Sequence, residues 1–301
     1  MPKVIRVVEV APRDGLQNEK ALLSTSIKVE LIDRLTAAGI TLIEATSFVS
    51  PKWVPQLADG AKVMHQIKRK TGTVYSALVP NMKGFAAALA AKVDEVVIFT
   101  AASETFSQKN INCSIAESFD RFAPVAVGAK EHHLRLRGSI SCALGCPYEG
   151  EVPVTAVVDV VHRLRDLGCD EIDIADTIGV GTPNRVKEVI HAAAQEFSTD
   201  CLAGHYHDTY GQALANILAS LEVGLSIFHS SVAGLGGCPF AQGATGNVAT
   251  EDLLYLLHGL GLPTGINLDE IVRAGEFISQ AIGRENRSRA GRALLARHSH
   301  P

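Results

Sequence analysis

The sequence predicts an α/β fold, a (β/α)8 TIM barrel with an extra C-terminal helix and tail. Three observations lead there. Short β-branched apolar runs alternate with segments of helical periodicity, eight such pairs can be counted, and the composition does not change from one to the next. Uniform β/α units favour a closed parallel barrel, with an open doubly wound sheet as the alternative. The whole chain, 1–301, then reads as a single domain, with the barrel over about 4–260 and a C-terminal helix and Arg-rich tail over about 266–301.

Strands are expected at 4–10, 42–45, 73–79, 95–100, 134–142, 171–175, 201–207 and 226–232. The helices between them fall near 25–38, 58–70, 82–91, 114–131, 153–167, 183–197, 211–223 and 249–258. Ser24 can cap the first helix, Gly39 and Gly168 can close helices, and Pro183 suits a first helical turn. A ninth, amphipathic helix starts at Leu268 and carries Ile271, Ala274, Phe277, Ile278 and Ile282.

Lys and Arg number 28 against 32 Asp and Glu, a formal charge of -4, and 47% of residues are hydrophobic. That balance excludes a disordered chain, and it argues against a nucleic-acid or membrane-surface partner in favour of a small molecule. The charge-free stretch 223–250 is broken by glycines and Pro239, so no membrane span is expected. Six dispersed cysteines without a C-x-x-C pair suggest reduced thiols and a cytoplasmic location. The charge is unevenly placed. Residues 284–301 hold five Arg and one Glu, a balance of +4, which leaves -8 on the rest. Part of this tail is a candidate contact for an anionic ligand.

In such barrels chemistry sits at the C-terminal strand ends, where the unusual polar residues collect here. Arg13-Asp14 follows strand 1, Glu44 lies on strand 2, Asp176 ends strand 6, and His205-x-His207 ends strand 7. Alternation along a strand puts both imidazoles on one side, a spacing that can chelate a metal. Asp14 is the expected third ligand and Asn247 a fourth. Such a mixed nitrogen and oxygen set suits Mg²⁺ or Mn²⁺ without excluding Zn²⁺ or Co²⁺. Arg13 can reach a developing oxyanion, and Glu44 is expected to orient Arg13 or a metal-bound histidine. The glycine-rich segment before Cys238 lacks a phosphate-binding fingerprint and reads as a loop able to close over a site.

Six segments carry a resemblance: 8–19 (VEVAPRDGLQNE), 47–55 (SFVSPKWVP), 141–150 (SCALGCPYEG), 176–183 (DTIGVGTP), 207–211 (HDTYG) and 231–239 (SVAGLGGCP). Together they resemble the hydroxymethylglutaryl-CoA lyases over about 4–282. The resemblance implies a metal-dependent TIM barrel in which Asp14, His205 and His207 bind a divalent cation with Asn247 close by. It implies cleavage of 3-hydroxy-3-methylglutaryl-CoA to acetyl-CoA and acetoacetate, a step of leucine degradation and ketone body formation. On it, His205 or Asp176 is the base, Arg13 stabilises the thioester enolate, Cys238 protonates it, and Glu9 and Glu44 support the centre. Arg284 alone carries over from the family's CoA-contacting tail, and a homodimer is expected.

Positions that depart from the mitochondrial type fall on strand ends: Thr100 for glycine, Ser139 for tyrosine, Asp173 for serine, Ala175 for glycine, Tyr206 for cysteine and His229 for aspartate. Thr100, Ser139, Asp173 and Tyr206 are therefore candidate substrate-pocket residues, and a longer 3-branched substrate is the alternative. A Claisen-condensing synthase shares Arg-Asp after strand 1 and the H-x-H, but the loop with Cys238 favours the lyase, since cleavage must protonate an enolate. A catalytically silent metal-binding scaffold is the more distant rival.

Overall fold

The computed structural model describes residues 4–237 and 246–298. Among them are eight strands: β1 (Arg6–Glu9), β2 (Leu42–Ser47), β3 (Val74–Leu78), β4 (Glu95–Ala101), β5 (Arg135–Ser141), β6 (Glu171–Asp176), β7 (Leu202–Tyr206) and β8 (Ile227–Ser230). Each is parallel to its neighbours, and β1 pairs with β8, so the sheet closes. This is the TIM barrel that the alternating pattern predicts, not the open sheet.

Helices α1 (Thr25–Ala37), α2 (Gly60–Gln66), α3 (Met82–Ala90), α5 (Ile115–Glu131), α6 (Val154–Asp166), α7 (Pro183–Ala193), α8 (Ala213–Glu222) and α9 (Thr250–Gly259) follow the eight strands in turn. A short α4 (Glu104–Ile111) precedes α5, and α10 (Leu268–Ile282) and α11 (Arg289–His298) complete the chain. No helix among the described residues is long and apolar enough to cross a membrane.

Strand alternation builds two interiors. Outward residues such as Ile43, Ala77, Ile98, Ile140 and Ile174 pack beneath the helices in the main apolar core. Inside the barrel, Val8, Val10, Ala203 and Ile227 form a separate apolar cluster. The rest of the lumen is ionic. Arg137 on β5 reaches Glu44 on β2 at 2.7 Å, lies 3.4 Å from Glu95 on β4, and meets His229 on β8.

Local rules explain where the elements begin and end. Pro183 occupies the first turn of α7, and Gly39 and Gly168 stand with positive φ just past α1 and α6, as expected. Ser24 does hold the position before α1, but its hydroxyl pairs with Ser26 and makes no capping bond. Helix α4 escapes sequence reading because it is short and its apolar positions are few; it is fixed instead by Ser103, whose hydroxyl accepts from the Phe106 amide.

The Arg-rich tail corrects the sequence expectation: most of it is helix α11. Asp252 on α9 stands at its N-terminus, accepting from the Ser288 hydroxyl and Ala290 amide, each at 2.7 Å. A carboxylate there satisfies orphan amides and favours the positive end of the helix.

Glu251, the neighbour of Asp252, is buried and accepts from the Ala233 amide at 2.9 Å and from Asn286 Nδ2 at 3.3 Å. Burial pushes its carboxyl up to about 8 from an ordinary 4.5. Between those values the folded protein keeps a proton that the unfolded chain has lost. Its contribution is therefore complete below about pH 4.5 and is lost as pH rises to about 8, at up to about 1.4 kcal/mol per pH unit. Glu251→Gln is expected to flatten urea-unfolding stability across that window; an unchanged slope would refute this origin.

Candidate active site

Strand β1 runs into a five-residue π-helical turn, Ala11–Gly15, in which the amides of Arg13, Asp14 and Gly15 all converge on the Val10 carbonyl at 2.8 to 3.1 Å. Turns of this kind recur at functional sites. Here the turn sets Arg13 and Asp14 over the barrel mouth. Asp14 Oδ2 lies 3.9 Å from His205 Nε2 and 3.9 Å from His207 Nε2. Both imidazoles of the H-x-H do face one side, although β7 ends at Tyr206 and His207 lies just beyond it.

Asn247 arrives by a route that sequence spacing does not show. It forms an antiparallel bridge with His207, framed by bonds from the Asp208 amide to the Gly246 carbonyl and from the Val248 amide to the Tyr206 carbonyl. Gly246 has positive φ, and a Cβ there would fall 2.5 Å from the Gly236 backbone, so a larger residue would push the two segments apart. Asn247 Nδ2 donates to Asp14 Oδ2 at 2.7 Å, and its Oδ1 is buried without a partner among the described residues, as is His207 Nδ1.

These donors fit a divalent cation. The ligand atoms of Asp14, His205 and His207 lie within 4.8 Å of one another. An ion about 2.1 Å from each of its ligands tolerates donor separations of about 3 to 4 Å. The unpartnered amide oxygen of Asn247 is one rotation of the side chain from joining them. The protonation states agree with such a role. Burial pushes both imidazoles below their ordinary values, His205 well below, so each keeps a lone pair. Burial alone would raise Asp14, but Arg13 and the two histidines outweigh it and hold its carboxyl well below the usual range.

Glu44 organises the cationic side. Arg13 Nε donates to Glu44 Oε1 and Arg13 Nη1 to Asp14 Oδ1, while Arg137 Nη2 donates to Glu44 Oε2 at 2.7 Å. With Nε and Nη1 so committed, Nη2 of Arg13 is left to address a ligand. A register shift in β2 directly after Glu44 lies beside this site.

Other residues singled out from the sequence fall elsewhere. Glu9 does not face the ligand cluster: it accepts from the amides of Ala11 and Val232 and from the Thr250 hydroxyl, tying β1 to the segment after β8. Asp176 is turned toward its own loop, where it accepts from Val180 and Gly181, and burial pushes it up to about 6. Thr100 and Tyr206, expected to line the pocket, point away from the lumen because their neighbours Phe99 and His205 take the inward places. Thr100 bonds Ser118 of α5 and Tyr206 bonds Ser220 of α8. Ser139 and Asp173 do stand on adjacent strands and bond each other at 2.7 Å. Arg284 donates to Glu19 at 2.7 Å and to the Gly234 carbonyl at 3.0 Å, so it braces the glycine-rich segment. Cys238 lies outside the described residues.

Sequence reading missed Arg137, Glu95 and Glu171. Its available signal was charge at alternate positions of β5, Arg135 and Arg137, which inside an apolar strand marks an ionic lumen.

Fold and donor cluster together describe a TIM-barrel protein with a candidate divalent-cation site at the C-terminal strand ends. Comparison with known proteins makes this specific. The HMGL-like family model matches residues 4–278. The chain is 56% identical, over 99% of both chains, to the 3-hydroxy-3-isohexenylglutaryl-CoA/hydroxy-methylglutaryl-CoA lyase of Pseudomonas aeruginosa. It is 55% identical to the mitochondrial hydroxymethylglutaryl-CoA lyase of Homo sapiens, over 97% of this chain and 90% of that one. The crystal structure of hydroxymethylglutaryl-CoA lyase from Pseudomonas aeruginosa superposes with a TM-score of 0.97 at 56% identity, covering 99% of each chain. The chain belongs to the HMGL-like family.

Arg137 is wholly buried among carboxylates, and removing it would strand Glu44 and Glu95 in the lumen. Arg137→Met is expected to lower the unfolding free energy by about 3–5 kcal/mol in denaturant titrations. A loss below about 1 kcal/mol would show that these charges are compensated without it.

Proposed function

We propose that this protein cleaves 3-hydroxy-3-methylglutaryl-CoA to acetyl-CoA and acetoacetate, with a divalent cation held by Asp14, His205, His207 and Asn247. The observation that carries this reading is the convergence of those four side chains beside the partly buried Arg13 guanidinium. The names of its close relatives supply the substrate.

The reaction is a retro-Claisen cleavage. The tertiary hydroxyl loses its proton, the C2–C3 bond breaks to leave a ketone at C3, and the bonding pair passes into the thioester as an enolate that must be protonated at C2. A cation at this centre supplies Lewis-acid help in ionising the hydroxyl. Mg²⁺ or Mn²⁺ suits a set with two oxygen donors. Arg13, held by Glu44 and Asp14, presents a fixed positive charge to the enolate oxygen without having to reorganise. Of the two bases the resemblance offers, only His205 stands in the ligand cluster, whereas Asp176 holds its loop. Cys238 is the proposed acid. The segment leading to it reaches the centre, with Asn18 Nδ2 donating to the Gly237 carbonyl and Asn247 Nδ2 to the Leu235 carbonyl.

A second reading, the same cleavage of a longer 3-branched homologue, has two features in its favour: the Pseudomonas aeruginosa relative, whose name includes 3-hydroxy-3-isohexenylglutaryl-CoA, and small Ser139 on β5. Its hydroxyl is spent on Asp173, however, and the nearby lumen is charged, a floor on which an alkyl chain gains little.

Chelation is expected to abolish acetyl-CoA release and Mg²⁺ or Mn²⁺ to restore it. Arg13→Met should lower kcat by about 10²–10³-fold with KM changed far less. Full activity after chelation, or in the variant, would overturn the assignment.

A further inference from the structure

We infer that Phe99 is a specificity-determining residue for the substituent on C3 of the substrate: its ring is the apolar wall that the 3-methyl group meets and that limits the length of a branch. This rests on the proposed lyase reading and adds a residue to it.

Strand register puts Phe99 in the barrel mouth. Thr100 beside it bonds Ser118 of α5, so alternation turns Phe99 inward, and its partner across the β4–β5 ladder is Ser139. From there the path to the cation site is short. Ser139 bonds Asp173 at 2.7 Å, and a carboxylate oxygen of Asp173 lies within 4.8 Å of a ring nitrogen of His205. Strands β4 and β8 stand across the closed barrel from each other. Phe99 therefore faces the ligand cluster, which gathers from β7 and from the segments after β1 and β8.

Burial marks an open space at this point. Phe99 is the one residue of β4 that is not fully buried, and Ser139 is likewise partly exposed between buried neighbours on β5. Both face inward, so the room they share belongs to the mouth of the barrel. Phe122 on α5, its ring centroid 6.0 Å from that of Phe99, backs the strand there and keeps the wall from retreating.

Substrate chemistry selects what fills that space. The tertiary hydroxyl and a carboxylate belong at the cation, and the thioester oxygen belongs at Arg13 on the turn after β1. C3 is tetrahedral, so its remaining substituent, the methyl, points away from both and toward β4. Deeper in the lumen Arg137 lies between Glu44 and Glu95, where an alkyl group gains nothing. Against the Phe99 ring it exchanges water for an apolar contact.

Substitution should therefore change which substrate is preferred. The readout is the ratio of kcat/KM for 3-ethyl-3-hydroxyglutaryl-CoA to that for hydroxymethylglutaryl-CoA. Phe99→Ala is expected to raise it at least about 10-fold, the discrimination that one methylene carries in an apolar pocket. Phe99→Leu, which keeps most of the apolar volume and so guards against a variant that fails to fold, should raise it about threefold. In both variants calorimetric titration should give an unchanged Kd for Mn²⁺, which a general collapse of the site would weaken. Unchanged ratios, or a fall in both activities that tracks weaker Mn²⁺ binding, would overturn the inference. A wild type that leaves hydroxymethylglutaryl-CoA intact would instead overturn the lyase reading beneath it.

Discussion

Glu44 is gripped by two guanidiniums, Arg13 from the turn after β1 and Arg137 from the middle of β5. Burial opposes its charge, but the two arginines outweigh burial and keep the carboxyl below its ordinary range. Everything at the centre leans on that arrangement. Through Glu44, the aim of Arg13 is set; through Arg13, the charge and orientation of Asp14 are set. Because each partner is almost fully withdrawn from water, losing one would leave the others uncompensated, and the site and the barrel lumen therefore share one electrostatic foundation.

The fold brings distant segments to this foundation by backbone bonds. Glu9 joins the start of the π-helical turn to Val232 and Thr250, so the first and last barrel strands hold the turn from both sides. Burial pushes that carboxyl up to about 7, and the Glu251 carboxyl beyond β8 is raised as well. Arg284 then braces Glu19 against the Gly234 carbonyl. The basic tail, which the sequence offers as a contact for an anionic ligand, thus contributes to the architecture next to the glycine-rich segment.

Much of this was legible beforehand. The eight β/α units and the shared side of His205 and His207 follow from periodicity and strand alternation, the motifs carry the family, and of the two partners expected for Glu44, Arg13 or a metal-bound histidine, the structure shows Arg13. What sequence could not show is which face each strand-end residue takes once the barrel closes. Thr100 and Tyr206 were expected in the pocket because they sit at strand ends, yet alternation sends them to helices α5 and α8. Asp176 turns into its loop because backbone amides there offer it better partners. Arg137 and Glu171 were overlooked since a buried ion network needs partners from several strands, and the charge at alternate positions of β5 marks only one of those strands. Helix α11 likewise depends on Asp252, far away in sequence.

The central claim is that Asp14, His205 and His207, with Asn247 completing the set, form one divalent-cation site above an ionic lumen. Anomalous diffraction from crystals equilibrated with Mn²⁺ tests it most directly. The account predicts one strong peak about 2.0–2.4 Å from an oxygen of Asp14 and from Nε2 of both histidines. A peak seated instead between Asp173 and His229, or none at the barrel mouth, would contradict it.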